Sequence, residues 1–276
     1  MRILFIGDIV GRPGKHACSQ IVPLLRRERE IDCVIANAEN TAAGSGLTPP
    51  MFKKLLHYGI DACTMGDHIY RRREIFPLLE SSERIVRPAN FVPEATGRDL
   101  AIFETQNATR VALISLLGRT YMNVRSECPF HAVDRVLRRV PQDVKIILVD
   151  MHAETTSEKI AMGWYLDGRV TAVVGTHTHV QTADERVLPN GTAYITDLGM
   201  TGPYDSILGR DKYRVLQVLT TGMPTPYNVA EHDVRLCGVI IEANSSTGRA
   251  IAIERVCVCD ESPLPPEDGD DDEHGH

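Results

Sequence analysis

Eight residues of this chain combine carboxylate, amide and imidazole chemistry at positions that one site could share: Asp8, Glu39, Asn40, Asp67, His68, His152, His177 and His179. What unites them is what precedes them. Asp8 follows Ile-Leu-Phe-Ile-Gly, Glu39-Asn40 follow Val-Ile-Ala-Asn-Ala, and Asp67-His68 follow Ala-Cys-Thr-Met-Gly. His152 follows Ile-Ile-Leu-Val-Asp-Met, and His177-Thr178-His179 follow Ala-Val-Val-Gly-Thr. Five apolar runs of strand length therefore each end in a group able to ligate a metal. Sites in α/β sheets assemble at the carboxyl ends of strands, so convergence is expected.

Taken singly the residues are ambiguous. An Asp after a strand commonly caps a helix or shapes a turn, and an isolated histidine is commonly a hydrogen-bonded packing residue. His177 and His179 say more, because side chains two apart in an extended segment project to the same side. Jointly the set offers oxygen and imidazole donors without thiolate, which suits Fe, Mn or Zn. So many ligands call for two ions, and the two oxygens of Glu39 could bridge them at about 4 Å, the spacing of two-metal phosphoryl chemistry. Solvent between the ions would be acidified to hydroxide while both ions neutralise the phosphate oxygens. The expected cofactor is two divalent or trivalent metal ions, Fe or Mn foremost and Zn possible, although the donor set by itself gives no unique choice among them.

Other chemistry fits less well. The stretch Gly7-Asp-Ile-Val-Gly-Arg-Pro-Gly14-Lys15-His16 approaches a phosphate-binding loop, but that motif needs Gly at 9 and Ser or Thr at 16, where Ile9 and His16 stand. It also departs from G-x-G-x-x-G. Ser115, Ser157 and Ser206 have no nucleophile-elbow context.

The elements that must position the eight residues follow from periodicity. Val- and Ile-rich runs at 3–7, 33–37, 62–65, 101–103, 111–116, 146–149, 172–175, 193–196 and 215–218 read as strands. Helices fit at about 16–29, 49–57, 72–80, 131–139 and 154–164. The alternation indicates an α/β layered fold, and the later strands without helices between them indicate an antiparallel portion or a second sheet. A β-like pair, 236–241 and 250–258, flanks a turn at 244–248. One domain over 1–260 is expected, followed by an acidic, proline-rich tail over 261–276 that has little to bury and reads as disordered.

The balance of 30 basic to 37 acidic residues, a formal charge of −7, excludes a non-specific grip on a nucleic-acid backbone. A small anionic substrate needs local positive charge, which bound metals could supply. The N-terminus has no signal-peptide pattern, and no run of about 18 apolar residues occurs, so a cytoplasmic protein without a membrane span is expected. Seven scattered cysteines read as reduced, buried thiols. Cys257-Val-Cys259 lacks the Cys-x-x-Cys spacing of zinc or redox motifs.

Several polar strings occur together and in order: Gly7-Asp-Ile-Val-Gly-Arg-Pro-Gly14, Asn37-Ala-Glu-Asn40, Gly66-Asp-His68, Arg87-Pro-Ala-Asn90, the stretch from Asp150 to Lys159, Asp167-Gly-Arg169, Gly175-Thr-His-Thr-His179 and Thr196-Asp-Leu-Gly-Met-Thr-Gly-Pro203. On these the chain resembles the bacterial YmdB-like metallophosphoesterases over most of residues 1–260. The resemblance implies a four-layer α/β/β/α sandwich with two mixed sheets, and phosphodiesterase activity on nucleoside cyclic phosphates, notably 2′,3′-cyclic nucleotides. It implies that Asp8, Glu39, Asn40 and His179 hold one ion, and that Glu39, position 67, His152 and His177 hold the other. His68 would stand beside the scissile phosphate as charge stabiliser or general acid. A homo-oligomer is compatible with it. One departure matters: the family usually has Gly-Asn-His where this chain has Gly66-Asp67-His68. The added charge should retain metal more firmly, weaken its Lewis acidity and repel the phosphate somewhat. A phosphomonoesterase such as a nucleotidase, or a regulatory protein that senses metal or nucleotide without turnover, are the competing readings. The loops at 45–48 and 87–90 either border the substrate or are structural.

Overall fold

Successive residues of the first strand, β1 (Arg2–Ile6), serve two different cores. Leu4 and Ile6 face a helical layer, while Ile3 and Phe5 face a second sheet. This alternation follows from the two-residue repeat of a strand and marks a sheet buried on both faces. The computed structural model describes residues 1–265, so most of the expected acidic tail lies outside the described residues. Of its start, Ser262 Oγ lies 2.9 Å from His16 Nε2, and the Pro265 carbonyl accepts from Arg12 at 3.2 Å.

After β1 the chain forms β2 (Asp8–Ile9), α1 (Gly11–Glu28), β3 (Cys33–Asn37), α2 (Pro49–His57), β4 (Ala62–Thr64), α3 (Phe76–Ser81) and β5 (Ile85–Val86). Next come β6 (Ala101–Glu104), β7 (Arg110–Leu117), α4 (Pro129–Leu137), β8 (Ile146–His152), α5 (Thr156–Leu166) and β9 (Ala172–Thr176). The chain continues through β10 (Arg186–Val187), β11 (Ala193–Ile195), β12 (Met200–Pro203), α6 (Lys212–Thr221), β13 (Val234–Ala243) and β14 (Ala250–Cys259). The first sheet has the order β2-β12-β13-β1-β3-β4-β5, with β14 on β13; the second has the order β10-β11-β9-β8-β7-β6. Both are mixed. β1, β3, β4 and β5 run parallel and β13 antiparallel to β1, while β7, β8, β9 and β11 run parallel between antiparallel β6 and β10.

Three cores hold four layers. Ala17, Ile21 and Val22 of α1 and Met51, Phe52 and Leu55 of α2 cover the outer face of the first sheet. Ile3, Phe5 and Ile35 meet Leu113, Leu148 and Val174 between the sheets. Val133 and Val136 of α4 and Met162 and Leu166 of α5 cover the second sheet. The architecture is the expected α/β/β/α sandwich with two mixed sheets. Among the described residues no helix is long and apolar enough to cross a membrane.

Residues 215–218 depart from expectation: they lie in α6, not in a strand. The Asp211 side chain accepts from the Arg214 amide at 2.9 Å and Gly222 closes the helix at φ 70°, both ordinary cap signals. None of the helix residues is fully buried, Val215 and Val218 being half-buried and Leu216 and Leu219 exposed, so the Val-Leu-Gln-Val-Leu run belongs to a surface helix rather than a core strand. The strands β2, β5, β10 and β12 carry no separate signal in the sequence, because two to four residues are too few to show a period.

The thiols also divide. Cys18, Cys33, Cys63 and Cys237 are buried, Cys128 is half-buried, and Cys257 and Cys259 are exposed because β14 is bonded only to β13. Cys257 pairs in register with Cys237, their sulfurs 3.5 Å apart, and not with Cys259. Burial pushes the Cys63 thiol up to about 12 and those of Cys18 and Cys33 well above the ordinary range. Since the thiolate is the reactive form, native protein treated with iodoacetamide near pH 8 should carry label on Cys257 and Cys259 and none on Cys18, Cys33 or Cys63. Peptide mass mapping reads this directly, and early label on Cys18 or Cys63 would contradict their burial in the core between the helices and the first sheet.

Candidate metal centre

The eight residues come together, each delivered by the end of a strand. Asp8 opens β2 two residues beyond β1, and Glu39 and Asn40 follow β3. Asp67 and His68 follow β4, His152 closes β8, and His177 follows β9. The first five belong to one sheet and the histidines of β8 and β9 to the other, so the site sits across the two sheets.

Four of them form a tight nest. Glu39, Asp67, His152 and His177 each present one ligand atom, and these atoms lie within 4.8 Å of one another. His152 Nε2 is 3.0 Å from Glu39 Oε1, 3.1 Å from Asp67 Oδ1 and 3.0 Å from His177 Nδ1. The hydrogen-bond pattern fixes the ring. Thr176 Oγ1 donates to Asp150 Oδ1 at 2.6 Å, so it accepts from His152 Nδ1, 2.8 Å away. In the neutral ring, Nε2 then turns its lone pair on the three other electron-rich atoms. Glu39 Oε1 is buried and has no hydrogen-bond partner among the described residues. A nest of this kind calls for a cation at its centre, and its oxygen and imidazole donors fit a transition metal.

Asp8, Asn40 and His179 form a neighbouring, looser group on the other side of Glu39. Asn40 Nδ2 lies 3.3 Å from His179 Nε2 and 3.5 Å from Asp8 Oδ1, and His179 Nε2 lies 3.7 Å from that same oxygen. His179 Nδ1 donates to the Leu208 carbonyl at 3.1 Å, which leaves Nε2 bare toward Asp8 in the neutral ring. Asp8 Oδ2 accepts from the His177 amide at 3.1 Å, and Glu39 Oε2 from the His68 amide at 3.0 Å. His68 is the more open member, its side chain 26% exposed, with Nδ1 donating to Asn40 Oδ1 at 2.7 Å.

His177 and His179 do not project into one group of side chains, as an extended segment would have them do. Their φ values are 97° and 64°, in the left-handed region, and the turn sends His177 to the tight nest and His179 to the looser group. Such backbone costs about 1–3 kcal/mol per residue and persists only where its surroundings hold it.

The charges sustain one another. Burial would raise Asp8, but the hydrogen bond and charge of His179, the charge of His152 and the His177 amide hold it well below the usual carboxylate range. Asp67 behaves alike, burial being outweighed by His152 and by the charges of His68 and His177. Burial lowers His152, yet Glu39, Asp67 and Asp8 raise it well above an ordinary histidine. Burial and the charge of His152 keep His177 below.

Beneath the nest Asp150 ties the sheets together. It accepts from Asn37 of β3 at 3.1 Å, Thr64 of β4 at 2.5 Å and Thr176 of β9 at 2.6 Å, and burial raises it to about 6. Its signal in the sequence is an acid inside the apolar run Ile-Ile-Leu-Val-Asp-Met; Thr176 and Thr64 carry no comparable signal. The loops at 45–48 and 87–90 both make structural contacts. The Ser45 and Gly46 amides donate to the Ala42 (2.8 Å) and Glu39 (2.5 Å) carbonyls, and Arg210 donates to the neighbouring carbonyls of Ala43 (2.8 Å) and Gly44 (2.6 Å). Buried Arg87 donates to the carbonyls of Ala95, Gly97 and Pro88, and Asn90 bonds both Leu117 and Glu127.

Two face-to-face mixed sheets with a carboxylate and imidazole nest at their strand ends define a phosphoesterase of the metallophosphoesterase class. The chain belongs to the YmdB-like protein family, whose sequence profile matches residues 4–256. It is 46% identical over 261 residues to the 2′,3′-cyclic-nucleotide 2′-phosphodiesterase of Bacillus subtilis strain 168, covering 95% of this chain and 98% of that protein. A hypothetical protein from Thermus thermophilus superposes with a TM-score of 0.87 at 39% identity, covering 94% of this chain and 99% of that one. A crystal structure described as a novel phosphatase, from Mycoplasma pneumoniae, superposes at 0.88 with 31% identity and 95% coverage of both chains.

Proposed function

We propose that this chain is a metal-dependent phosphodiesterase that hydrolyses 2′,3′-cyclic nucleotides with two metal ions. The observation that carries the reading is the nest around His152 Nε2, with Glu39 Oε1, which accepts no hydrogen bond among the described residues, inside it. The substrate class is supported by the Bacillus subtilis relative, similar along nearly its whole length. Asp8, Glu39, Asn40 and His179 would hold one ion, and Glu39, Asp67, His152 and His177 the other. Bound there, the ions supply an acidified water nucleophile and neutralise the phosphate oxygens.

The chain does the rest. Thr176 and the Leu208 carbonyl hold the His152 and His179 tautomers, so that each Nε2 faces the site. The Asn40 side-chain carbonyl accepts a hydrogen bond from His68 Nδ1, which leaves Nε2 as the ring nitrogen free to pass a proton, 3.7 Å from Asp67 Oδ2. As water attacks phosphorus the P–O2′ bond breaks and His68 Nε2 passes its proton to O2′, while the proton that the water loses goes to solvent, from which His68 is reprotonated, leaving a 3′-phosphate without a covalent enzyme intermediate.

The test is chromatography of products from 2′,3′-cyclic AMP with Mn- or Fe-loaded protein, beside chelator-treated and His68→Gln samples and a phosphomonoester control. Turnover should vanish on chelation and fall about 10²- to 10⁴-fold in His68→Gln. Hydrolysis of the monoester alone would overturn the diesterase assignment.

Position 67 yields a separate prediction. Asp67→Asn removes a charge without removing an oxygen donor, so Mn affinity should drop about tenfold while turnover per bound ion holds or rises. Equal affinity and equal turnover would show that the charge at 67 has no role.

A further inference from the structure

Lys159 of α5 and Asp197, two residues beyond β11, are both fully buried, with Nζ 2.6 Å from Oδ2. Taking two opposite charges out of water is costly, and an apolar pair of similar volume commonly stabilises a fold as well or better. Stability alone therefore gives no reason for the pair, but its hydrogen bonds do. Asp197 Oδ2 accepts from the Thr178 hydroxyl at 2.6 Å and the Thr178 amide at 3.2 Å, while Lys159 Nζ lies 3.4 Å from that hydroxyl. Asp197 Oδ1 accepts from the Gly199 amide at 2.8 Å, and the Gly199 carbonyl in turn accepts from the Asp8 amide at 3.2 Å. The Asp197 backbone closes the other end of the loop, with its N–H donating to Thr182 Oγ1 at 2.9 Å and its carbonyl accepting from the Thr182 amide at 3.1 Å.

One carboxylate thus grips the residue between His177 and His179 and, through Gly199, the strand that carries Asp8. It does so where both histidines hold left-handed backbone that needs an anchor. We propose that Lys159 and Asp197 are a positioning pair that holds the His177-Thr178-His179 turn and Asp8 in ligating register, and so sets how tightly the metal centre is retained. The proposal rests on the metal-centre reading above.

The experiment measures Mn(II) affinity and stoichiometry of metal-free full-length protein by electron paramagnetic resonance of the unbound ion, beside the thermal midpoint of the same samples. Wild type should bind about two ions per chain. Asp197→Asn should weaken Mn(II) about 10- to 100-fold, the range typical of groups that orient metal ligands. The paired variant Lys159→Met with Asp197→Leu should regain most of the midpoint lost in Lys159→Met while its affinity stays low, since apolar side chains replace the charges but not the bonds to Thr178 and Gly199. Thr178→Val leaves the ion pair in place and should weaken Mn(II) in the same direction at an unchanged midpoint. Wild-type affinity in Asp197→Asn, or affinity that returns together with stability in the paired variant, would overturn the proposal. Absence of Mn(II) binding by wild type would overturn the metal-centre reading and this inference with it. Nucleotide turnover is not read, so an error in the substrate assignment leaves the result interpretable.

Discussion

Glu39→Gln should strip the protein of bound metal and of turnover together, with a loss of about 10³-fold or more in kcat/KM for 2′,3′-cyclic AMP. The substitution keeps the volume, so the fold should survive and circular dichroism should match wild type. What changes is charge and donor character at the point where the two ligand groups meet. Oε1 faces His152 Nε2 at 3.0 Å and Oε2 accepts from the His68 amide at 3.0 Å, both in a buried setting. An amide in that place carries no charge and aims N–H groups either at the His68 amide or at the ligand atoms of the nest. Metal analysis and turnover should fall in the same samples. Full turnover in Glu39→Gln would sink the assignment of Glu39 as the shared ligand.

Gly66→Ala should do nearly as much damage with a single methyl group. A Cβ at position 66 would fall inside contact distance of Glu39 Oε2 and of His152 Nε2 and Cδ2. The backbone there is not left-handed, so the injury is one of space and not of backbone strain. Both side chains are fully buried and have little room to yield. Misplacement of ligands by about 1 Å can cost 10²-fold in rate, and here two ligands are displaced at once. Metal stoichiometry below wild type with a thermal midpoint lowered by a few degrees is the expected pair of readings. Normal metal content in Gly66→Ala would mean that the nest is looser than its distances imply.

The share of this site that was legible in the sequence has a physical basis. Strand ends are marked locally, by an apolar run that stops at Gly, Asn or Asp, so the positions of Asp8, Glu39, Asp67, His152 and His177 could be recognised without any knowledge of packing. The groups that orient them could not. Thr176 reveals itself only through bonds to His152 and Asp150, and Lys159 looks like one more basic residue on a helix until its ammonium is found against Asp197. Helix α6 was hidden for the converse reason. Its apolar content resembles a strand, and only the partial exposure of the whole run among the described residues shows that it lies on the surface.

By itself the sequence determined the continuous apolar run that makes β1 a strand, the order of α1 to α5 and of the longer strands, and which donor types would stand at the strand ends. Tertiary structure decided which of those donors meet. His152, His177 and His179 reach Glu39 and Asp8 because Ile3, Phe5 and Ile35 of one sheet pack on Leu148 and Val174 of the other. It also decided that His177 and His179 part company through two left-handed residues and that Asp150 binds the sheets beneath them. The division has one cause. Periodicity and strand ends are properties of neighbours along the chain, whereas a ligand nest depends on contacts between residues more than a hundred positions apart, such as Asn37 with Asp150 and Asp8 with His177, which arise only when two separately formed sheets exclude water from the space between them.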